Sequence, residues 1–426
     1  MTMLTTDDPS QPCLTIRTWI LGAVSCVLLS FVNQFFNYRT NQISVNSIFV
    51  QILALPVGRW MARVLPPTII RIPLLDWSFS LNPGPFNMKE HVVTVIIANS
   101  GTGGIYAVHI ITILKAFYHR GINVMAAILL TQTTQKILGG FPLHVVAWHF
   151  SSSIFVQMPG INILTEIVIG YIMPGNPLAS VVFKTYGCTS MGQAINFLSD
   201  FKLGHYMKIP PRSMFIAQLA GSVIANASYF GTAWWLLSDV PHICETNLLP
   251  KGSPWTCPSD TVFFSSSVIW GVVGPRRMFG PDSIYSGLNY FFLLGLFAPA
   301  TVYLFHRLFL EKKWIRLINF PVIFAAAGYI PLVKTVNFNC WFIVGFVFNY
   351  WVLKHHKQWW GRYAYVLSAA LDADTSFMAV IAFFTLGNYN INSVNWWGGV
   401  TDDYCQLAKC PTELGAYIPK GCPELQ

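Results

Sequence analysis

The chain alternates long uncharged apolar stretches with short polar or basic connections. About 20 consecutive apolar residues cross a bilayer as a helix, whereas roughly 10–14 read as re-entrant, interfacial or buried. Trp19–Phe36 and Ser213–Ser238 carry no charge and predict full spans. Ser286–Phe305, Leu317–Val333, Val336–Leu353 and Tyr363–Leu386 read the same way, and Ile43–Gly58 is shorter and runs into Arg59 and Arg63. Other apolar stretches are interrupted. Val92–Leu114 follows a proline-rich break, Ile122–Gln135 is short, and Ile137–Thr165 is punctuated by Gly139-Gly140, Pro142 and Pro159-Gly160. Ile167–Phe183 contains Pro174-Gly175-Asn176-Pro177, and Val262–Val273 is too short to cross and reads as re-entrant. Proline removes a backbone donor and glycine frees the dihedrals, so these positions predict breaks in the helices. The pattern predicts an all-α polytopic integral membrane protein with about 10 transmembrane helices and broken or re-entrant segments.

Composition supports that class. Charged residues make up 10% of the 426 and hydrophobic ones 54%, against roughly 25% charged in soluble domains; mean hydropathy is +0.50. The net charge of +9 fits cytoplasmic loops that collect Lys and Arg. No basic run belongs to a soluble domain, which argues against nucleic acid as a partner; the lipid bilayer is the expected one. His306-Arg307 with Lys312-Lys313, and Lys354 to Lys357 with Arg362, are predicted to face the cytoplasm, placing the cysteine-bearing tail outside. The N-terminus has two acids, Asp7 and Asp8, where a cleavable leader has a basic segment, so the first span is expected to serve as an uncleaved start signal.

The densest chemistry lies in Asn82-Pro83-Gly84-Pro85-Phe86-Asn87-Met88-Lys89-Glu90-His91. Two prolines and a glycine stop the helix, and three ionisable side chains follow at the mouth of an apolar stretch. Lipid-facing backbone cannot stay broken and unpaired, so such a break belongs in protein or beside a water-filled path. This run, Lys208-Ile209-Pro210-Pro211-Arg212, and flanks such as Leu198–Tyr206 and Gly274-Pro275-Arg276-Arg277 resemble the oligopeptide transporter family. The resemblance implies uptake of short peptides, or of peptide-like metal chelates, coupled to proton entry, with protons as coupling ion and no other cofactor. It implies an integral protein, expected in the plasma membrane. It runs through 1–135, meets a seam at 136–157, and resumes over 158–426 in a later part of the family pattern, as though the central portion were missing. A shortened chain of this kind could also be an inactive or regulatory membrane fragment. A channel would need rings of charge or carbonyls, and no filter-type repeat is visible. G-x-S-x-G, H-E-x-x-H and phosphate-cradling loops are absent from the sequence, so no enzyme is predicted.

Three residues are candidates for proton coupling. Glu166 follows the break Pro159–Asn162 and has no basic neighbour in sequence. It is either a cavity-facing carboxylate, whose desolvation would suit proton loading, or a helix-end carboxylate at the interface. Asp372 lies in the last span, where the resemblance implies an acid; Asp374, where it implies a small residue, is a departure. His109 is either a proton relay or a packed, hydrogen-bonded histidine. The substrate path is predicted along Asn82, Pro83, Gly84, Asn87, Lys89, Glu90, His91 and Asn162, because half-helix ends offer free N–H and C=O groups to a zwitterionic peptide. Lys89, Glu90 and His91 could instead pair among themselves. Lys208, Pro210, Pro211 and Arg212 read as a rigid turn and cytoplasmic anchor more than as a binding site. Cys244 and Cys257, in a proline-rich polar loop, are disulfide candidates; no zinc-type spacing appears, and no metal site is predicted.

Overall fold

The computed structural model describes residue 8 and residues 11–72, 77–134 and 161–386, apart from positions 247, 251, 282, 284, 310, 313, 316, 317, 319, 321, 322 and 324–334. The expected seam, nearly all of Ile137–Thr165, most of Leu317–Val333 and the tail beyond Leu386 lie outside the described residues. The chain divides into two compact units, Met1–Phe377 and Met378–Gln426; the second is described only to Leu386.

Helix α1 (Ile16–Asn37) starts on Thr15, whose hydroxyl accepts from the backbone N–H of Thr18, satisfying one of the orphan donors of a helix start. Helix α2 (Ser47–Val64) follows. A two-stranded antiparallel ribbon, β1 (Ile69–Ile72) and β2 (Trp77–Ser80), then pairs Ile69 with Ser80 and Ile72 with Trp77. The apolar pattern did not predict this ribbon. Helix α3 (Met88–Asn99) opens on a reciprocal capping box: Asn87 accepts from the Glu90 N–H, and Glu90 accepts from the Asn87 N–H.

The stretch Val92–Leu114 is not one helix. It breaks after Asn99 and resumes as α4 (Tyr106–Thr112), which runs into a π turn over Ile113–Phe117. α5 is Val124–Thr133 and α6 is Ile161–Ile172. The Pro174–Pro177 cluster separates α6 from α7 (Pro177–Tyr206). Proline at the first position of α7 costs nothing, because that N–H has no helical partner. α8 (Pro211–Asp239) begins on Pro211 in the same way. The short apolar segment near Val262 becomes α9 (Pro258–Val268), a π turn (Ile269–Val273) and α10 (Gly274–Phe279). α11 (Asn289–Leu308) follows a 3-10 turn (Ser286–Leu288), α12 (Thr335–Phe346) runs on through a π turn (Val347–Val352) into Leu353–His355, and α13 is Lys357–Thr385.

By length and composition, three described helical stretches can cross a membrane: Ile16–Asn37, Ser286–Leu308 and Lys357–Thr385. Breaks and π turns shorten several others, and α8 dilutes its apolar character with Gln218, Ser222 and Asn226.

The core forms where α1 packs along α8 and α3. Small residues allow this close crossing. A Cβ on Gly101 would lie 2.6 Å from the Cys26 carbonyl oxygen, and one on Gly221 would lie 2.8 Å from Ser100 Oγ and 3.0 Å from the Ile97 carbonyl oxygen. At the far end of α1 a disulfide joins Cys244 to Cys257. The loop it closes docks through Thr40 N–H to the Pro254 carbonyl at 2.8 Å and Cys257 N–H to the Tyr38 carbonyl at 3.0 Å. By contrast, α11 and α12 expose large apolar side chains, among them Tyr290, Phe291, Leu296 and Trp341, the face that suits lipid rather than water.

Candidate functional site: two buried charge clusters

The first cluster gathers the Asn82–His91 run around Arg17. Arg17 enters α1 in its first turn and is fully buried. Its Nη2 donates to both oxygens of Glu90, at 3.0 and 3.1 Å, and its Nη1 donates to Asn82 Oδ1 at 2.9 Å and to the Gly84 carbonyl at 2.8 Å. Gly84, at φ +134°, turns in a region that only glycine enters easily. Asn82 also donates to the carbonyls of Ala62 and Leu65 at the end of α2, at 2.8 and 2.7 Å. Thr15 donates a short hydrogen bond to Glu90. Lys89 donates to the Asp8 carbonyl at 2.9 Å, and Asn87 donates to that of Pro12 at 3.0 Å. His91 is buried with its ring edge toward Phe86.

This geometry corrects one alternative. Lys89, Glu90 and His91 do not form an ion cluster among themselves, because successive residues of a helix leave it in different directions. The carboxylate of Glu90 meets Arg17 instead. The motif ties the starts of α1 and α3 to the end of α2, and the polar atoms of Asn82, Asn87 and Glu90 are engaged within the protein.

The second cluster joins four helices. Glu166 on α6 accepts from Lys184 on α7 at 2.7 Å and from Ser266 on α9 at 2.6 Å, and Lys184 donates to Ser266 at 3.1 Å. Both members of the ion pair are buried. The absence of a basic neighbour in sequence is thus overturned in space: Lys184 lies one helix away and supplies the counter-charge. Lys184 also sits 4.7 Å from the centre of the Phe263 ring, on which His109 of α4 stacks at 5.0 Å. His109 Nδ1 lies 2.7 Å from Asp260 Oδ1 at the start of α9. Asp260 is fully buried, and its Oδ2 has no partner. Two pairs, each built on a buried carboxylate, therefore share one aromatic ring, with His109 on the helix that follows the α3–α4 break.

A third polar group lies at that break. Asp200 on α7 accepts from Asn99 at the end of α3, at 3.1 Å, and from Gln218 on α8 at 2.9 Å. Tyr229 donates to the Gly101 carbonyl at 2.9 Å, pairing backbone freed where the helix stops.

The remaining sequence candidates fall elsewhere. Asn162 stands in the first turn of α6 with an unpartnered Oδ1. Pro83 is exposed beside Gly84. Lys208, at φ 56°, and Pro210 form the turn into α8; with Pro211 and Arg212 they are exposed. Asp372 and Asp374 are exposed on α13 and join neither cluster. Among the described residues, no group of three or more His, Cys, Asp and Glu side chains is placed to hold a metal ion.

Sequence reasoning missed Arg17, Lys184 and Asp260. Each is a charged residue inside or at the edge of an apolar segment, and such a residue needs a partner. That signal was present for all three, although nothing in sequence order says which partner it meets.

Comparison with known proteins bears on what this arrangement is for. A profile of the OPT oligopeptide transporter proteins matches residues 13–146 and 151–386. Oligopeptide transporter 5 of Arabidopsis thaliana is 33% identical over 714 aligned positions, covering 99% of this chain and 95% of that protein. Oligopeptide transporters 1 and 8 of the same plant are 32% and 30% identical over 714 and 711 positions, each covering 99% of this chain and 94% and 96% of the relative. An alignment of 714 positions on a chain of 426 residues is opened by long gaps on this side. No solved structure matches. The chain belongs to the OPT family, whose members are membrane transporters and not enzymes.

Proposed function

We propose that this member of the oligopeptide transporter family carries short peptides, or peptide-like metal chelates, across the plasma membrane, driven by proton entry. The observation that carries the reading is the α3–α4 break, followed on α4 by His109, which faces the buried Asp260, within a family match that spans most of the chain. A broken helix inside a bundle brings two helix ends to one level, which is where transporters bind and release cargo. A peptide carries an ammonium and a carboxylate, and the carbonyl end of α3 and the N–H end of α4 offer opposite partial charges. The coupling proton is assigned to the cluster that includes Glu166 and His109. Asp372, exposed on α13, is the remaining acidic candidate.

Expression in a host that lacks its own peptide transporters tests this. Uptake of labelled tetra-alanine that rises as external pH falls supports the reading; uptake that ignores pH removes the proton.

A second reading rests on one specific observation. The family match is interrupted between 146 and 151, inside the 136–157 seam, and the alignments need long gaps in this chain. These support a shortened member that retains the family surface but cannot complete a transport path. A chain that inserts correctly and moves no peptide at either pH favours that fragment. Sequencing the transcript across Gln135–Pro159 shows whether coding sequence has been lost from the junction.

A further inference from the structure

Counting charge separates the two buried pairs. Glu166 and Lys184 carry opposite full charges 2.7 Å apart, so that pair is neutral with no proton from outside. Asp260 is in a different position. Its carboxylate is 0% exposed, one oxygen faces His109 Nδ1 at 2.7 Å, and the other has no partner. With His109 neutral, the His109–Asp260 pair has a net charge of −1. One added proton makes it neutral. In a medium of low dielectric an uncompensated charge is far more costly than a neutral pair.

Among the described residues, the groups around the pair supply no other compensation: on α4 itself Tyr106 faces the imidazole with ring centres 5.8 Å apart, and it is a neutral phenol. From α7, Lys184 faces the pair across Phe263, but Glu166 on α6 already neutralises it. Just past the end of α1, Tyr38 lies close enough to feel the charge on Asp260, but it is a phenol whose hydroxyl bonds Thr112 at 2.8 Å. On α9 itself the neighbours Ser259 and Thr261 do not titrate. A carboxylate oxygen accepts, so Nδ1 of His109 carries the hydrogen and Nε2 offers a lone pair. The His109 side chain is 18% exposed where Asp260 is sealed, so a proton reaches the pair through the imidazole.

We propose that His109 and Asp260, rather than Glu166, form the proton-loading pair of the transport cycle, with Glu166–Lys184 a fixed strut between α6 and α7. The proposal rests on the proton-coupled reading above. In the loading step a hydronium ion on the accessible side gives its proton to the Nε2 lone pair of His109: an N–H bond forms, the O–H bond of the donor breaks and water is left, and the pair passes from −1 to neutral. Release reverses it. The two residues sit on different helices, His109 on α4 after the break and Asp260 at the start of α9, so loading strengthens the attraction between α4 and α9.

Two measurements test this. In wild-type protein in nanodiscs, ¹⁵N-histidine spectra between about pH 5 and 8 are expected to show one resonance gaining a proton at Nε2; His109→Gln removes that resonance and Asp260→Asn moves it. A His109 signal that stays unchanged across the range overturns the proposal whether or not any peptide is transported. In cells, the ratio of tetra-alanine uptake at acidic to neutral external pH is expected to fall to about one in Asp260→Asn and His109→Gln. Glu166→Gln lowers total uptake but keeps the wild-type ratio. A ratio lost in Glu166→Gln and kept in Asp260→Asn returns the proton to Glu166 and sinks the proposal. Failure of wild-type uptake defeats the transport reading alone, because the spectra still decide where the proton goes.

Discussion

Arg17→Met removes the centre of the first charge cluster. Arg17 makes four hydrogen bonds, two to the Glu90 carboxylate and two to the neutral acceptors Asn82 Oδ1 and Gly84 O. A hydrogen bond in which either member is charged contributes about 1.5–3 kcal/mol, and the guanidinium makes all four bonds of that kind. At the low end of that range the four together amount to about 6 kcal/mol. An independent route gives a similar figure: removing one member of a buried ion pair costs about 3–5 kcal/mol, because the other is left buried and unpaired. Glu90 would be that residue, fully buried with only Thr15 and the Asn87 N–H for company. At about 1.4 kcal/mol per tenfold, the folded-to-unfolded ratio should fall by at least roughly a hundredfold. Titration of purified protein with sodium dodecyl sulfate in mixed micelles measures it, with Arg59→Met on the exposed face of α2 as control. Arg17→Lys should recover part of the loss, since a single ammonium cannot reproduce the planar fork. Arg17→Met combined with Glu90→Met should recover about 2 kcal/mol, because no charge is then left alone. An Arg17→Met effect no larger than that of Arg59→Met would refute the keystone role, as would a double variant no more stable than the single.

Three further outcomes follow from other parts of the fold. Gly101→Ala places a methyl group 2.6 Å from the Cys26 carbonyl oxygen and should destabilise by about 1–3 kcal/mol, read in the same micelle titration; wild-type stability would mean that α1 and the turn after α3 are not in close contact there. Cys244→Ser opens a loop of sequence separation 13 and should cost on the order of 3 kcal/mol; peptide mapping without reductant should find the two cysteine fragments of the parent protein joined, and free thiols at both positions in fresh membranes would reject the bridge. The basic connections at 306–316 and 354–362 place the tail outside by charge, so Cys405 and Cys422 should react with an impermeant maleimide in intact, reduced cells. Labelling only after permeabilisation would reverse the topology.

Sequence reasoning worked best where one segment decides its own state. Trp19–Phe36 and Ser213–Ser238 had to be helices, because an uncharged stretch of that length has no other way to satisfy its backbone in lipid; α1 and α8 contain them whole. The breaks at Pro174–Pro177 and before α3 were legible for the same local reason, since proline and glycine act on their own turn. The break after Asn99 was not foreseen, though Ser100-Gly101-Thr102-Gly103-Gly104 carries three glycines in five positions. The apolar residues on both sides outweighed it, and no charge marked the site.

Pairing was beyond the sequence. Arg17 and Glu90 are 73 positions apart, and His109 and Asp260 are 151 apart. Each residue alone announces that a charge near apolar surroundings needs a partner, and the family motif singled out Glu90 without saying that Arg17 holds it. A Coulomb interaction depends on distance in space and on the dielectric around it, and both are set only when α1 packs on α3 and α9 packs on α4. The amino-acid sequence alone thus determined that this is a helical membrane protein with interrupted spans, because hydrophobicity and backbone breaks are properties of a segment. Tertiary structure decided which buried charges neutralise one another and which pair is left one proton short, because that is a property of neighbours.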